Sequence, residues 1–515
     1  VNSQVRALYA ACERVPGPSS PGSRLAHLIT AFSAHLEADG LSLKSEELAH
    51  IQKLGTARMM RVPAPEGGFI ERASAFQRAL KRQLEGDAYD LVHVTDVWAG
   101  AVAAQHKEQA ELVLVTDLQE LPTQTLAERV PELVADDRIK NVIRRGEQLA
   151  LTRSNALVVC GQAARTAAIA AGAKAETVHV VPHGMDPAVF FASSIELRLH
   201  DGFTVLYAGA PVVGRGLAQF LQAVKQLPAG VFGVLWRARP KEPAAEEAVA
   251  QAGLTDRILW QDASTQAKLA SIFQQADVVV VLPTGTSGTL HGAHIPRRLV
   301  EAMMCKRAVV ASDTDGVREV VQDRQNGLII PQKDGRALAA ALQLLHQDAA
   351  LRNRLSQRAS ETAGEFTWGQ RLLEYAHLYE KLLDVPLNIP DPRKGQGSAA
   401  TADRNRPRGS PAGVGIMRDE VAASAAARAQ KEAKTPSIIM LPTPVDVPVV
   451  KPVKETKTPS MAAAPPVGVE LQPPRAPKEA NTPSIIISLA PEPQRKTPSL
   501  VRAPPSAAAI EAATA

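Results

Sequence analysis

Cysteine is scarce in this chain: only Cys12, Cys160 and Cys305 occur among 515 residues. They are scattered and odd in number, which excludes a disulfide framework, and their spacing matches no zinc site. A reducing compartment is therefore expected. No apolar run is long enough to span a bilayer. The opening stretch, VNSQVRALYAAC, enters a strand-like pattern directly and lacks the features of a signal peptide. A cytoplasmic location is expected. The net charge is a mild +5, with acidic and basic residues interspersed, so no nucleic-acid partner is predicted.

What is present is alternation. Strand-like runs such as VRALYAAC, YDLVHV, AELVLVTD and NALVVCG are separated by helical patterns. A second series begins at FTVLYAG and continues through VFGVLWR, DRILWQD, ADVVVV and AVVAS. This predicts an α/β protein with two Rossmann-like, doubly wound domains, at residues 1–185 and 186–365. The Gly-Asp-Pro cluster in HGMDPAVF marks the junction. A packed closing helix is predicted at 366–385, where Leu372, Leu373, Tyr375, Ala376, Leu378 and Tyr379 keep helical spacing. One helix in the first half is predicted to run from Leu25 to a stop at Gly40.

Beyond residue 386 aromatic residues vanish, and Pro, Ala, Lys, Ser and Thr dominate. Such a composition cannot offset its ordering entropy, so a disordered tail is predicted over 386–515. It repeats, however: KEAKTPSII at Lys431–Ile439 returns as KEANTPSII at Lys478–Ile486, and Thr-Pro-Ser recurs at Thr458 and Thr497. These sites suit phosphorylation or strand addition to a protein partner, and equally a drifting spacer.

Three stretches bear on chemistry. Gly22 and Ser23 lie where a Pro/Gly/Ser loop meets a helix, a place where α/β folds present backbone N–H groups to a phosphate or an acceptor sugar. The same residues also read as an ordinary loop. Gly209, Gly214 and Gly216 surround Arg215 between a strand and a helix, which allows close backbone approach and a bidentate cation for a diphosphate. The stretch Pro296–Val321 contains a helix opened by proline, with Arg298 and Glu301 in it, then a buried strand and an Asp-Thr-Asp-Gly loop. His93, Asp96, Asp117, His183 and Asp186 all follow strand-like runs and are expected to be structural hydrogen-bonding groups.

Over roughly residues 5–383, and most strongly from Asn155 to Tyr379, the sequence resembles the family 4 glycosyltransferases of GT-B fold. VVPHGMDPAVF is similar to that family's interdomain junction, and LPTGTSGTLHGAHIPRRLVEAMMCKRAVVASDTDG to its donor-site segment. FTW with Tyr379 resembles its closing helix. The resemblance implies a nucleotide-diphosphate-sugar donor held by the second domain and an unknown glycan or lipid acceptor presented by the first. It further implies retention of anomeric configuration, no metal and no cofactor beyond the donor substrate. Glu301 would hold the ribose hydroxyls, Arg215 and Arg298 the phosphates or hexose, with Gly214 and Gly216 beside them. Many members work at the inner membrane face, and Arg72, Arg78, Lys81 and Arg82 on one helix read first as a plain solvated face and second as a surface for anionic lipid.

Three positions depart from the family pattern. Ala293 stands where a first glutamate is common, Ala210 where an arginine is common, and Thr116-Asp117 where a histidine is often found. His291 or His294 would stand in for part of the lost groups, or be ordinary solvated loop histidines, the commoner case. These departures, with the repeat-bearing tail, also suit a scaffold that has lost turnover. Asp313-Thr314-Asp315 looks like a metal-binding motif but is expected to be a loop shaping the donor pocket.

Overall fold

The computed structural model of the protein describes residues 5–17, 20–45, 48–63, 68–129, 137–191, 199–211, 216–237, 242–263 and 266–387. Arg215, Gly214 and the repeats of the tail lie outside them. The first lobe opens with β1 (Arg6–Arg14), α1 (Ser20–Phe32), β2 (Glu37–Leu43), β3 (Ile51–Leu54) and β4 (Ala57–Val62). It continues with α2 (Phe69–Gly86), β5 (Leu91–Val94), α3 (Val97–His106), β6 (Val113–Asp117) and α4 (Pro122–Arg129). It ends with α5 (Asp137–Arg153), β7 (Ala156–Val159), α6 (Gln162–Ala170) and β8 (Val178–Val180). The strands form one sheet in the order β3-β4-β2-β1-β5-β6-β7-β8, parallel except at the β3–β4 edge pair.

The second lobe contains α7 (Pro187–Phe190), β9 (Phe203–Tyr207), α8 (Leu217–Gln226), β10 (Val231–Arg237), α9 (Pro243–Gln251) and β11 (Ile258–Asp262). Next come α10 (Gln266–Gln275), β12 (Val278–Val281), α11 (Leu290–Ala293), α12 (Arg297–Met304), β13 (Ala308–Ser312), α13 (Asp315–Arg318) and β14 (Leu328–Ile330). Its sheet is wholly parallel, in the order β11-β10-β9-β12-β13-β14. The central strands VVVV of β12 and AVVAS of β13 are buried throughout, as a parallel sheet covered on both faces requires. The chain closes with α14 (Gly335–Gln347), α15 (Ala349–Ala363) and α16 (Trp368–Leu383).

Helix α16 returns to the first lobe. Tyr375, Ala376, Leu378 and Tyr379 join a core with Tyr9, Leu25, Leu28 and Phe32. The two chain crossings between lobes meet each other: Met185 N–H donates to Phe366 O at 2.6 Å, and Trp368 N–H to Met185 O at 3.1 Å. Trp368 then stacks on His27, ring centres 4.3 Å apart. An exposed carboxylate adds a third tie. Glu319, just past α13, accepts from the free N–H groups of Gln162 and Ala163 at 2.8 and 2.6 Å, opening α6 of the other lobe.

One expected helix is shorter than its pattern. It stops at Phe32, and Gly40 lies inside β2, not at a helix end. A Cβ there would collide with the Met59 sulfur of the neighbouring strand, so this glycine permits close packing inside the lobe. Asp39 beside it, which looks like a turn residue, faces inward and accepts from Arg58 at 3.0 Å and from Tyr89 at 2.9 Å.

Candidate functional site between the lobes

A cavity of about 590 Å³ lies between the lobes at the carboxyl ends of both sheets, where parallel α/β sheets hold their ligands. That volume is within the range of small-molecule sites. The first lobe supplies Cys12 and Glu13 from β1, Thr95–Trp98 after β5, Gln119 and Glu120 after β6, and Phe69 at the start of α2. The second supplies Tyr207–Ala210, Trp236, Val281–Thr284, His291, His294 and Pro296–Arg298.

The second-lobe wall is built around α12. Pro296 caps it in an extended conformation, so the chain enters the helix at Arg297. The helix buries Leu299, Val300, Met303 and Met304. Its first turn turns two guanidinium groups toward the cavity. Glu301 lies one turn on and is wholly buried. Its carboxylate stands 2.8 Å from Arg297 Nε and 2.6 Å from Arg298 Nη1. Arg298 also lies over the Trp236 ring, 5.2 Å from its centre. Burial pulls the Arg297 guanidinium down to about 10, against the opposing pull of Glu301. Two cations therefore share one carboxylate at the positive end of a helix, a setting that favours a bound anion.

Arg298 therefore lines the cavity, whereas Glu301 lies behind the arginines and holds them. Gly216 opens α8 with φ of 89°, and a Cβ there would meet Leu282, a cavity residue. Gly209 and Ala210 line the cavity; Gly22 and Ser23 are buried at the first turn of α1 and do not. Ala293 is fully buried in α11. The Asp-Thr-Asp loop is occupied by its own neighbours. Asp313 is gripped by Arg318 at 2.5 Å, Thr314 caps α13, and Asp315 accepts from Ser287 and from Gly288 N–H at 2.8 Å. No group of three or more His, Cys, Asp or Glu suited to a metal occurs among the described residues.

Next to Ser23 stands a residue that sequence reasoning missed. Arg24 is 1% exposed and organises a buried network beneath the cavity. Its Nη1 donates to Asp117 at 3.1 Å, to the Tyr375 hydroxyl at 2.7 Å and to Val181 O at 3.2 Å. Its Nη2 meets His183 Nδ1 at 2.7 Å. Arginine can only donate, so His183 Nδ1 accepts and its proton sits on Nε2. That nitrogen lies 3.5 Å from His294 Nε2, and His294 Nδ1 lies 3.4 Å from Cys160 Sγ. Burial, reinforced by the Arg24 charge, holds His183 well below the usual histidine range and His294 at about 4. Both rings are neutral at pH 7.

The first-lobe wall has the opposite charge. Asp96 caps α3, accepting from Ala99 N–H and Cys12 N–H at 2.8 Å each. Burial raises its pKa, those N–H groups oppose the rise, and the nearby Glu120 adds to it. Phe69 and Trp98 meet edge to face, 5.5 Å between centres. Apart from Asp96, which the strand-end rule marked as a hydrogen-bonding group, these wall residues carry no motif.

Comparison with known proteins bears on the two lobes. "Glycosyl transferase 4-like domain" matches residues 21–184, and "Glycosyl transferases group 1" matches 193–362. The chain is 29% identical over 312 residues to D-inositol 3-phosphate glycosyltransferase of Xylanimonas cellulosilytica, covering 56% of this chain and 72% of that protein. It is 28% identical over 336 residues to phosphatidyl-myo-inositol mannosyltransferase of Mycolicibacterium smegmatis, covering 64% and 81%. Sucrose-phosphate synthase from Thermosynechococcus elongatus shares the fold, with TM-score 0.62 and 20% identity over 74% of this chain and 99% of that one. Anabaena Alr3699/HepE in complex with UDP-glucose does so with TM-score 0.58 and 18% identity, over 73% and 99%. Two facing Rossmann-like lobes and both matched domains lead to one assignment: the chain belongs to the family 4 glycosyltransferases of GT-B fold, which use nucleotide sugars.

Proposed function

We propose that the protein transfers a sugar, with retention and without a metal, from a nucleoside-diphosphate donor to an acceptor hydroxyl in glycan or glycolipid synthesis. The observation that carries this is the pair Arg297 and Arg298, aimed into the interlobe cavity from the N-terminal turn of α12. In the transfer, the acceptor oxygen bonds to the anomeric carbon and gives up its proton. The bond from that carbon to the diphosphate oxygen breaks, and the nucleoside diphosphate leaves with the electron pair and takes up the proton. Negative charge grows on the departing oxygen, and fixed cations and helix N–H groups stabilise it there.

Within this proposal Arg298, Arg297 and Arg215 neutralise the diphosphate, with Gly214 and Gly216 granting it backbone approach. Glu301 holds the two α12 arginines and reaches the ribose only if the donor displaces one of them. Relatives named for inositol phosphate and phosphatidyl-inositol favour glycolipid synthesis. Among the described residues no helix is long and apolar enough to cross a membrane. Contact with a membrane surface would use Arg78, Lys81 and Arg82 on the outer face of α2.

Ala293 and Ala210 favour a second reading, a binding module that has lost turnover and docks partners through its tail. Incubating the full chain with a panel of nucleotide sugars, with and without EDTA, separates the two. Release of nucleoside diphosphate together with a glycosylated acceptor of unchanged anomeric configuration supports the transferase. Binding without release in every case supports the module.

A further inference from the structure

We propose that the first-lobe half of the cavity takes an uncharged sugar as acceptor and rejects an acceptor bearing a phosphate. The proposal rests on the glycosyl-transfer function above and adds the chemical class of the second substrate.

Four observations carry it. First, Glu13, Asp96 and Glu120 are the charged first-lobe residues lining the cavity, so no described first-lobe cation lines it. Burial, then Asp96 and Glu13, pushes the Cys12 thiol up; Arg72 is near enough to oppose them, yet it does not line the wall. A phosphate entering this half would lose water and face like charge, whereas a hydroxyl can donate to a carboxylate. Second, the cations that do line the cavity, Arg297 and Arg298, come from the other lobe and are committed to Glu301 and the donor side. Third, Phe69 and Trp98 present aromatic surface beside the carboxylates. Aromatic surface flanked by acceptors matches a pyranose, whose C–H face is apolar and whose rim carries hydroxyls. Fourth, the Thr95 hydroxyl is fully buried in this wall and has no hydrogen-bond partner among the described residues. The Gln119 amide oxygen beside it is in the same position. Buried polar atoms left unmatched are what an absent polyhydroxylated ligand would satisfy.

The inference separates this chain from relatives named for inositol phosphate and phosphatidyl-inositol, both of which carry a phosphate. A site built for an anion would be expected to bring a cation to the acceptor wall, as the donor side does here.

The experiment uses the full chain saturated with whichever of UDP or GDP raises its melting temperature. Tryptophan fluorescence is titrated with cellobiose, methyl α-D-mannoside and myo-inositol 3-phosphate. At least one neutral sugar should bind tenfold or more tighter than the inositol phosphate. Glu13→Gln combined with Glu120→Gln should narrow that ratio severalfold, and Trp98→Phe should weaken the neutral sugar while the nucleotide still binds. Equal or tighter binding of myo-inositol 3-phosphate, or binding of none of the three while the nucleotide binds, overturns the acceptor assignment alone. Failure of both nucleotides to bind overturns the transfer function as well.

Discussion

Arg297 Nε stands 2.8 Å from Glu301 Oε1, and the two side chains are 5% and 0% exposed. The buried acid behind the second-lobe wall is thus the anchor of its cations. Removing one partner of a buried ion pair leaves an uncompensated charge and costs about 3–5 kcal/mol. Glu301→Ala should therefore lower the unfolding free energy by about that amount as well as weaken nucleotide binding. Urea denaturation checks the first effect. An unchanged midpoint would mean that the arginines do not depend on this carboxylate.

A second buried pair ties α1 to β6. Arg24 and Asp117 are each 1% exposed, and Tyr375 from α16 donates to the same carboxylate oxygen at 2.7 Å. Asp117→Asn should destabilise the protein by about 3–5 kcal/mol, whereas the apolar pair Arg24→Met with Asp117→Leu should recover much of the loss. A double-mutant cycle reads the coupling. Simple additivity of the two single changes would show that the pair acts independently.

Acid should unfold this protein early. Burial, then the Arg24 charge, brings His93 to about 3 and His294 to about 4; burial, then Arg297, brings His27 to about 4. In the unfolded chain these rings protonate near about 6.5. Between the two values the unfolded state binds more protons, so stability rises with pH in that window. It is full above about 6.5 and falls as pH drops toward about 4. Unfolding free energy measured from pH 7 to pH 5, above the usual carboxylate range, should fall steadily. His294→Gln should make that slope shallower. A flat profile in both proteins would contradict the neutral-histidine assignment.

Glu319 tests the contact between lobes. Its carboxylate serves as an N-cap for α6 from across the interface. Because it is exposed, Glu319→Gln should cost only about 0.5–1 kcal/mol. Hydrogen exchange at the Gln162 and Ala163 amides should accelerate several-fold. Unchanged protection at both would indicate that another group caps the helix.

The alternating pattern made the sheets readable, because buried parallel strands such as VVVV and AVVAS are apolar along their whole length. Strand β2 was not readable: its Asp39 and Gly40 carry turn and stop signals, and only neighbours on β4, on α1 and in the loop after α2 reveal why they sit in a sheet. The α12 cations were half legible. Arg298 follows from the motif, while Arg297, four residues before Glu301, needed the helix to show that it shares the same carboxylate. The Arg24 network had no local signal, since its partners lie 93, 159 and 351 residues away along the chain. The first-lobe wall of the cavity is likewise assembled largely from the ends of three separate strands.

The most direct test of the account is calorimetric titration of UDP and GDP into the full chain and into Arg298→Ala. A charge-assisted contact contributes about 1.5–3 kcal/mol, so the account predicts saturable binding of at least one nucleotide and a loss of roughly tenfold to a hundredfold in the variant. Binding of equal strength in both proteins, or no binding to the unaltered chain, would contradict it.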